Sequence, residues 1–202
     1  MQITRQSTAV GGQLKKLVCL GDSFTYGYGV PRAEIWTRLA ADALGIEVVN
    51  AGICGDTTAG MLARLEHGVF SKRPSHVLIF GGGNDILATG SCLTARAGLW
   101  ALAHQVMARG AAPLLALLPR LDPEGVPPRW AAVIGDVEQA AACMDALNEW
   151  IRAAAEGFGI PAVDLSDCLE GERGLHLDGI HPSAEGHRRM SRVLTNAMKP
   201  LL

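Results

Sequence analysis

No apolar run in this chain approaches the roughly 18 residues that a membrane-crossing helix needs. The longest candidates, such as residues 111–118, have the length of a core strand. Stable membrane insertion is therefore not expected. Neither sign of charge is in excess: 18 Lys and Arg stand against 20 Asp and Glu, a net of -2. That balance argues against a nucleic-acid binder relying on a broad basic field. The five cysteines (Cys19, Cys54, Cys92, Cys143 and Cys168) include no C-x-x-C pair, and their spacing is irregular. An odd, irregular set fits neither a disulfide framework nor a structural zinc site, and most are expected to be buried thiols. Residues 1–16 are polar and lack the apolar stretch of a signal peptide, so a cytoplasmic location is expected. A phosphate-binding loop is also missing, because the small-residue stretch 21–29 carries no lysine. The same stretch is not a G-x-S-x-G elbow, since Thr25 stands at the second glycine position.

What is present is enough for one sizeable core. Of 202 residues, 49% are hydrophobic and 19% charged. This composition excludes global disorder and suits one domain, taken as residues 16–202 behind a flexible tail over 1–15. Short apolar runs alternate with helical spacing. Strands are expected at 17–20, 48–49, 77–80, 114–118 and 162–165. Helices are expected at 31–44, from a Thr57 or Thr58 cap through Val69, at 93–109, at 133–158 and at 184–198. Five strands separated by helices give an α/β chain with a parallel sheet covered on both faces. Residues 119–128 hold four prolines and a glycine, and read as an irregular excursion on the ligand-binding rim.

Ligands of open α/β sheets sit at the carboxyl ends of the strands. Here those ends hold Gly21-Asp22-Ser23, Asn50-Ala51-Gly52 and Gly82-Gly83-Asn84-Asp85. A further loop, before the last helix, holds Asp178-Gly179-Ile180-His181-Pro182. A serine is a weak nucleophile until a base removes its proton, and the base needs an acceptor to orient it. Asp178 and His181, three residues apart, can meet in a tight turn, and Pro182 restricts the backbone of His181. Ser183 is a candidate cap for the helix that follows.

These four blocks, in this order, resemble those of the SGNH hydrolases, also called the GDSL esterase and lipase family. The run from Asn50 to Thr58 is most similar to the branch of thioesterase I and lysophospholipase L1-like enzymes. The resemblance implies a three-layer α/β/α sandwich with a flavodoxin-like five-stranded parallel sheet of order 2-1-3-4-5. It implies Ser23 as nucleophile, His181 as general base and then acid, and Asp178 as its orienter. It also implies an oxyanion hole formed by the backbone N–H groups of Ser23 and Gly52 and the side-chain amide of Asn84. The chemistry agrees, because donors fixed in advance at the developing oxyanion lower the barrier by several kcal/mol. An amide at position 84 donates and cannot become an anion. Asp85 is expected to brace the loop. The expected function is hydrolysis of acyl esters or thioesters of small to medium chain length, with no metal and no organic cofactor. Deacetylation of carbohydrate by the same triad is the alternative, and a non-catalytic binding module is a third reading.

Two features depart from that branch: Cys54 stands where serine is common, and residues 88–94 are small and are expected to build a different pocket wall. Trp130 is the tryptophan expected to touch ligand, while Trp36, Trp100 and Trp150 are read as packing residues. His176, His181 and His187 fit no metal-ligand spacing. His67, His76 and His104 are expected at the surface or at helix ends. The oligomeric state is left open.

Overall fold

The computed structural model describes residues 15–202; the tail expected over 1–15 lies, but for Lys15, outside them. Strand β1 (Lys16–Gly21) runs through Leu17, Val18, Cys19 and Leu20, all fully buried. A run apolar at every position is what a strand covered on both faces requires. Strands β2 (Glu47–Gly52), β3 (His76–Phe80), β4 (Ala112–Ala116) and β5 (Ala162–Val163) follow. All pairings are parallel, in the expected order β2-β1-β3-β4-β5. The direction of winding reverses between β1 and β3, so their carboxyl ends open a crevice.

The helices divide into two groups. Helix α2 (Trp36–Leu44) packs on α8 (Ala184–Met198). Helices α3 (Thr58–Ala63), α4 (Gly83–Thr89) and α7 (Val137–Phe158) pack against α5 (Leu93–Ala108). The result is the three-layer α/β/α sandwich. Two short helices, α1 (Ser23–Tyr26) and α6 (Pro128–Ile134), flank the crevice. Among the described residues, no helix is long and apolar enough to cross a membrane.

Several boundaries differ from expectation. The helix expected over 31–44 begins only at Trp36, after a 3-10 turn at Arg32–Glu34. Ile35 is extended there and 3% exposed, because burying its side chain takes precedence over continuing the turn. The helix expected from 133 to 158 is two helices. Gly135, at φ 81, ends α6, and the Asp136 carboxylate caps α7 by accepting from the Gln139 N–H at 2.9 Å. Strand β4 lies two residues earlier than 114–118. Beyond it the Asn148 side chain replaces the ladder, accepting from Leu118 N and donating to Leu118 O, both at 2.8 Å. Strand β5 stops at Val163, where the Asp164 carboxylate accepts from Ser166 N at 3.0 Å and turns the chain. Thr57 and Ser183 cap α3 and α8. His76, expected at the surface, is 2% exposed inside β3. Only Cys19 is fully buried; Cys54 is exposed and the other three cysteines are half-buried.

Candidate active site

Ser23 follows β1 directly and opens α1. The Asp22 carboxylate caps that turn by accepting from Phe24 N at 3.0 Å. Asp178 and His181 lie in the turn before α8, closed by a bond from Leu177 N to His181 O at 2.8 Å. Within it the Asp178 Oδ1 accepts from Ile180 N at 3.2 Å and from His181 N at 2.9 Å. An aspartate accepting from backbone groups two and three residues ahead is a stable local arrangement, which explains the spacing of the block. The His181 Nδ1 lies 3.0 Å from both Asp178 oxygens, and its Nε2 lies 3.0 Å from Ser23 Oγ. Ser23, Asp178 and His181 are each less than a tenth exposed.

Burial raises the Asp178 carboxyl pKa, but the His181 backbone N–H, the imidazole and the Ile180 N–H outweigh it, and the net shift is downward. Asp178 is therefore ionised at neutral pH and can only accept. That places the imidazole proton on Nδ1 and leaves Nε2 to accept from the serine hydroxyl. Serine, imidazole and carboxylate thus form one continuous chain.

These residues border a cavity of about 150 Å³. Its walls are mainly apolar and include Phe24, Leu87, Trp130, Met144 and Ile180. Tyr28 lies at its mouth, its ring centroid 4.4 Å from that of His181. Trp130, the tryptophan expected to touch ligand, is one of the lining residues. Residues 88–94 contribute no lining residue; Leu87, just before them, does.

Asn84 lines the cavity, and its Nδ2 donates to Asp56 O at 2.9 Å, with Asp22 Oδ2 at 3.5 Å. One amide hydrogen is committed to Asp56 and the other has only that long contact. Gly52 does not line the cavity, which corrects the expectation for this residue. Its N–H donates to Asn50 Oδ1 at 3.0 Å, and a Cβ there would lie 2.2 Å from Tyr26 N. Gly52 is a glycine because two backbones approach closely, not because its N–H faces substrate. In this segment the lining glycine is Gly55, at φ +75 in a turn closed by a bond from Asp56 N to Ile53 O at 3.2 Å. Among the described residues the Gly55 N–H has no hydrogen-bond acceptor. The run Cys54-Gly55-Asp56 carries the signal for this, a glycine before a turn-forming aspartate.

Asp85 braces α4 against α3, accepting from Thr58 Oγ1 at 2.6 Å and Thr58 N at 2.9 Å. Burial, opposed by the Phe24 N–H and reinforced by Asp56 and Asp85, pushes the Asp22 carboxyl pKa up to about 7. Burial and then Asp22 raise that of the Cys54 thiol. No group of three His, Cys, Asp or Glu among the described residues is placed to hold a metal ion.

The sequence matches a known family model, that of GDSL-like lipases and acylhydrolases, over residues 19–189. The chain belongs to the GDSL-like lipase/acylhydrolase family. Esterase TesA of Pseudomonas aeruginosa is 30% identical over 99% of this chain and 93% of its own length. Thioesterase 1/protease 1/lysophospholipase L1 of Escherichia coli is 27% identical over 92% of this chain and 84% of its own. A crystal structure of TesA, 28% identical, superposes with a TM-score of 0.74 over 93% of this chain and 100% of that one. As a GDSL family member the chain is a carboxylic ester hydrolase, which supersedes the reading as a binding module.

Proposed function

We propose that the chain hydrolyses acyl esters or thioesters of short to medium length through an acyl-enzyme on Ser23. The observation that carries this is the hydrogen-bonded chain Ser23–His181–Asp178 opening into an apolar cavity. Ser23 Oγ attacks the acyl carbonyl carbon while its proton passes to His181 Nε2, and the carbonyl electron pair moves to oxygen. The oxyanion is met by the N–H groups of Ser23 and Gly55 and by the Asn84 amide. Collapse expels the alcohol or thiol, which takes the proton from His181. Water, deprotonated by His181, then releases the acid and returns the serine. Gly55 takes the place first expected of Gly52, because its N–H is uncommitted and borders the cavity.

A cavity of about 150 Å³ accommodates a molecule the size of benzene, so an acyl chain of about four to six carbons fits within it. No observation favours carbohydrate deacetylation. Fluorophosphonate labelling and a p-nitrophenyl ester series test the reading. Ser23→Ala should abolish labelling and lower kcat/KM by roughly 10⁴ to 10⁶ with the fold intact. Labelling or turnover near wild type in that variant removes Ser23 from the mechanism.

A further inference from the structure

The excursion at residues 119–128 and helix α6 have no part in the triad as described, yet they close over it from behind. The Asp122 N–H donates to Gly179 O at 2.8 Å. Gly179 has φ +72, and a Cβ on it would lie 2.5 Å from Asp122 O and 2.6 Å from Val126 N. The excursion is therefore seated directly on the turn that carries Asp178. Its continuation into α6 delivers Trp130, whose indole Nε1–H donates to Asp178 Oδ2 at 2.9 Å.

That bond completes an uneven set. Asp178 Oδ1 is held by two backbone N–H groups of its own turn, besides the shared imidazole. Oδ2 has the imidazole and the indole. Asp178 is 6% exposed, so water has little access to replace a lost donor. With the indole absent, the carboxylate is free to turn about Oδ1. Its charge at Oδ2 is then balanced by the imidazole alone.

We infer that Trp130 is a positioning residue, whose indole N–H fixes Asp178 Oδ2 and, through Asp178, the ring plane and tautomer of His181. The inference rests on the triad reading above. It also means that one side chain serves as cavity wall and as brace of the triad carboxylate, so the two roles must be separated experimentally.

Trp130→Phe keeps an aromatic wall and removes the donor. The expected result is a fall in kcat of about tenfold, the scale of one hydrogen bond to a charged group, with KM for a short ester changed less than about twofold. The acid limb of the kcat/KM profile should move to higher pH, because a less stabilised carboxylate holds the imidazolium proton longer. A purely structural role would not move that limb. Placing 3-benzothienylalanine at position 130, which keeps the bicyclic shape and lacks the N–H, should give the same result and covers the case in which the Phe variant fails to fold. Unchanged kcat and an unmoved limb, with or without a raised KM, would make Trp130 a wall residue only and overturn the inference. Ser23→Ala, assayed in parallel, keeps the two readings apart. If it is inactive while the position-130 variants match wild type, only the Trp130 role falls. If it stays active, the triad itself falls.

Discussion

The two walls that meet at Ser23 are held in different ways. The wall made by the ends of β1, β2 and β3 is tied by half-buried bonds that join the strand ends to the segments packed around them. Asn50 Nδ2 donates to Thr25 O at 2.6 Å and to Thr37 Oγ1 at 3.0 Å. Arg64 joins the Asp56 carboxylate to Gly21 O. The opposite wall comes from the second half of the chain, where Asp178, His181 and Trp130 sit on a turn and a seven-residue helix. Its cross-links run mostly through the excursion: Asp122 to Gly179, Trp130 to Asp178, His176 and Ser166 to the Arg120 backbone, and ion pairs of Arg120 that are open to solvent. Exposed pairs of this kind contribute little. The first wall is thus preset by the sheet, while the second depends on one docked excursion. Donors that must meet charge without rearranging belong on the first wall.

Asn84 tests that division most severely, because it lines the cavity on the preset wall and is the side-chain donor of the proposed oxyanion hole. Its donation strengthens only as charge develops on the carbonyl oxygen, so its loss should fall on kcat rather than KM. Asn84→Ala should lower kcat by about 10² to 10³, or roughly 2.7–4 kcal/mol, a larger loss than Trp130→Phe on the other wall. Asn84→Asp should be at least as harmful. Steady-state kinetics on a short ester decide it: a variant that keeps kcat and only raises KM makes Asn84 a substrate-binding residue.

The same division explains what the sequence made visible. Ser23, Asn84, Asp178 and His181 sit in local blocks whose turn chemistry is written within four residues. The alternation of apolar runs and helical spacing was sufficient for a parallel α/β sheet, and the strand order came from the family resemblance. What escaped was non-local or depended on competing bonds. Gly52 and Gly55 are three residues apart in one block, and only the Asn50 side chain, folded back onto Gly52 N, tells which N–H is free. Trp130 reaches Asp178 across 48 positions, and no spacing encodes that. Asn148 completing β4 is of the same kind. The break at Gly135-Asp136 was readable as a stop and a cap, but the apolar period ran on through it.

Asp22 probes the cost of presetting the first wall. Its carboxyl is buried beside Asp56 and Asp85, with its pKa raised from 3.8 to about 7. The folded chain thus keeps a proton that the unfolded chain gives up from about pH 4 upward. The contribution of this group to stability is full below about pH 4 and is lost as pH rises through about 7. Asp22→Asn retains an acceptor for Phe24 N and removes the titration. Relative to wild type, the variant should gain about 2–3 kcal/mol of stability on going from pH 4.5 to pH 8. Urea unfolding at the two pH values measures this. An equal effect at both would mean that Asp22 is not held protonated by its surroundings.

Cys54 should have the smallest effect, although it lines the same cavity beside Gly55. Proximity to an oxyanion donor makes it a candidate for a second nucleophile, but the chemistry opposes that. A cysteine attacks as the thiolate, and burial together with Asp22 raises the pKa of this thiol, so the thiol form prevails at neutral pH. His181, the base at hand, has its Nε2 committed to Ser23. Serine at position 54 is smaller by little and brings a hydroxyl to a position already exposed, so no buried polar group is stranded. The backbone turn that presents the Gly55 N–H closes through Ile53 and Asp56 and does not use the Cys54 side chain. Cys54→Ser should therefore keep kcat/KM within about tenfold, a change below about 1.4 kcal/mol. The wild-type enzyme should likewise retain most activity after iodoacetamide, except where the added group blocks entry of longer esters. Complete loss of activity in a folded Cys54→Ser variant would instead make the thiol a participant, and the preset wall would then carry a reactive group as well as donors.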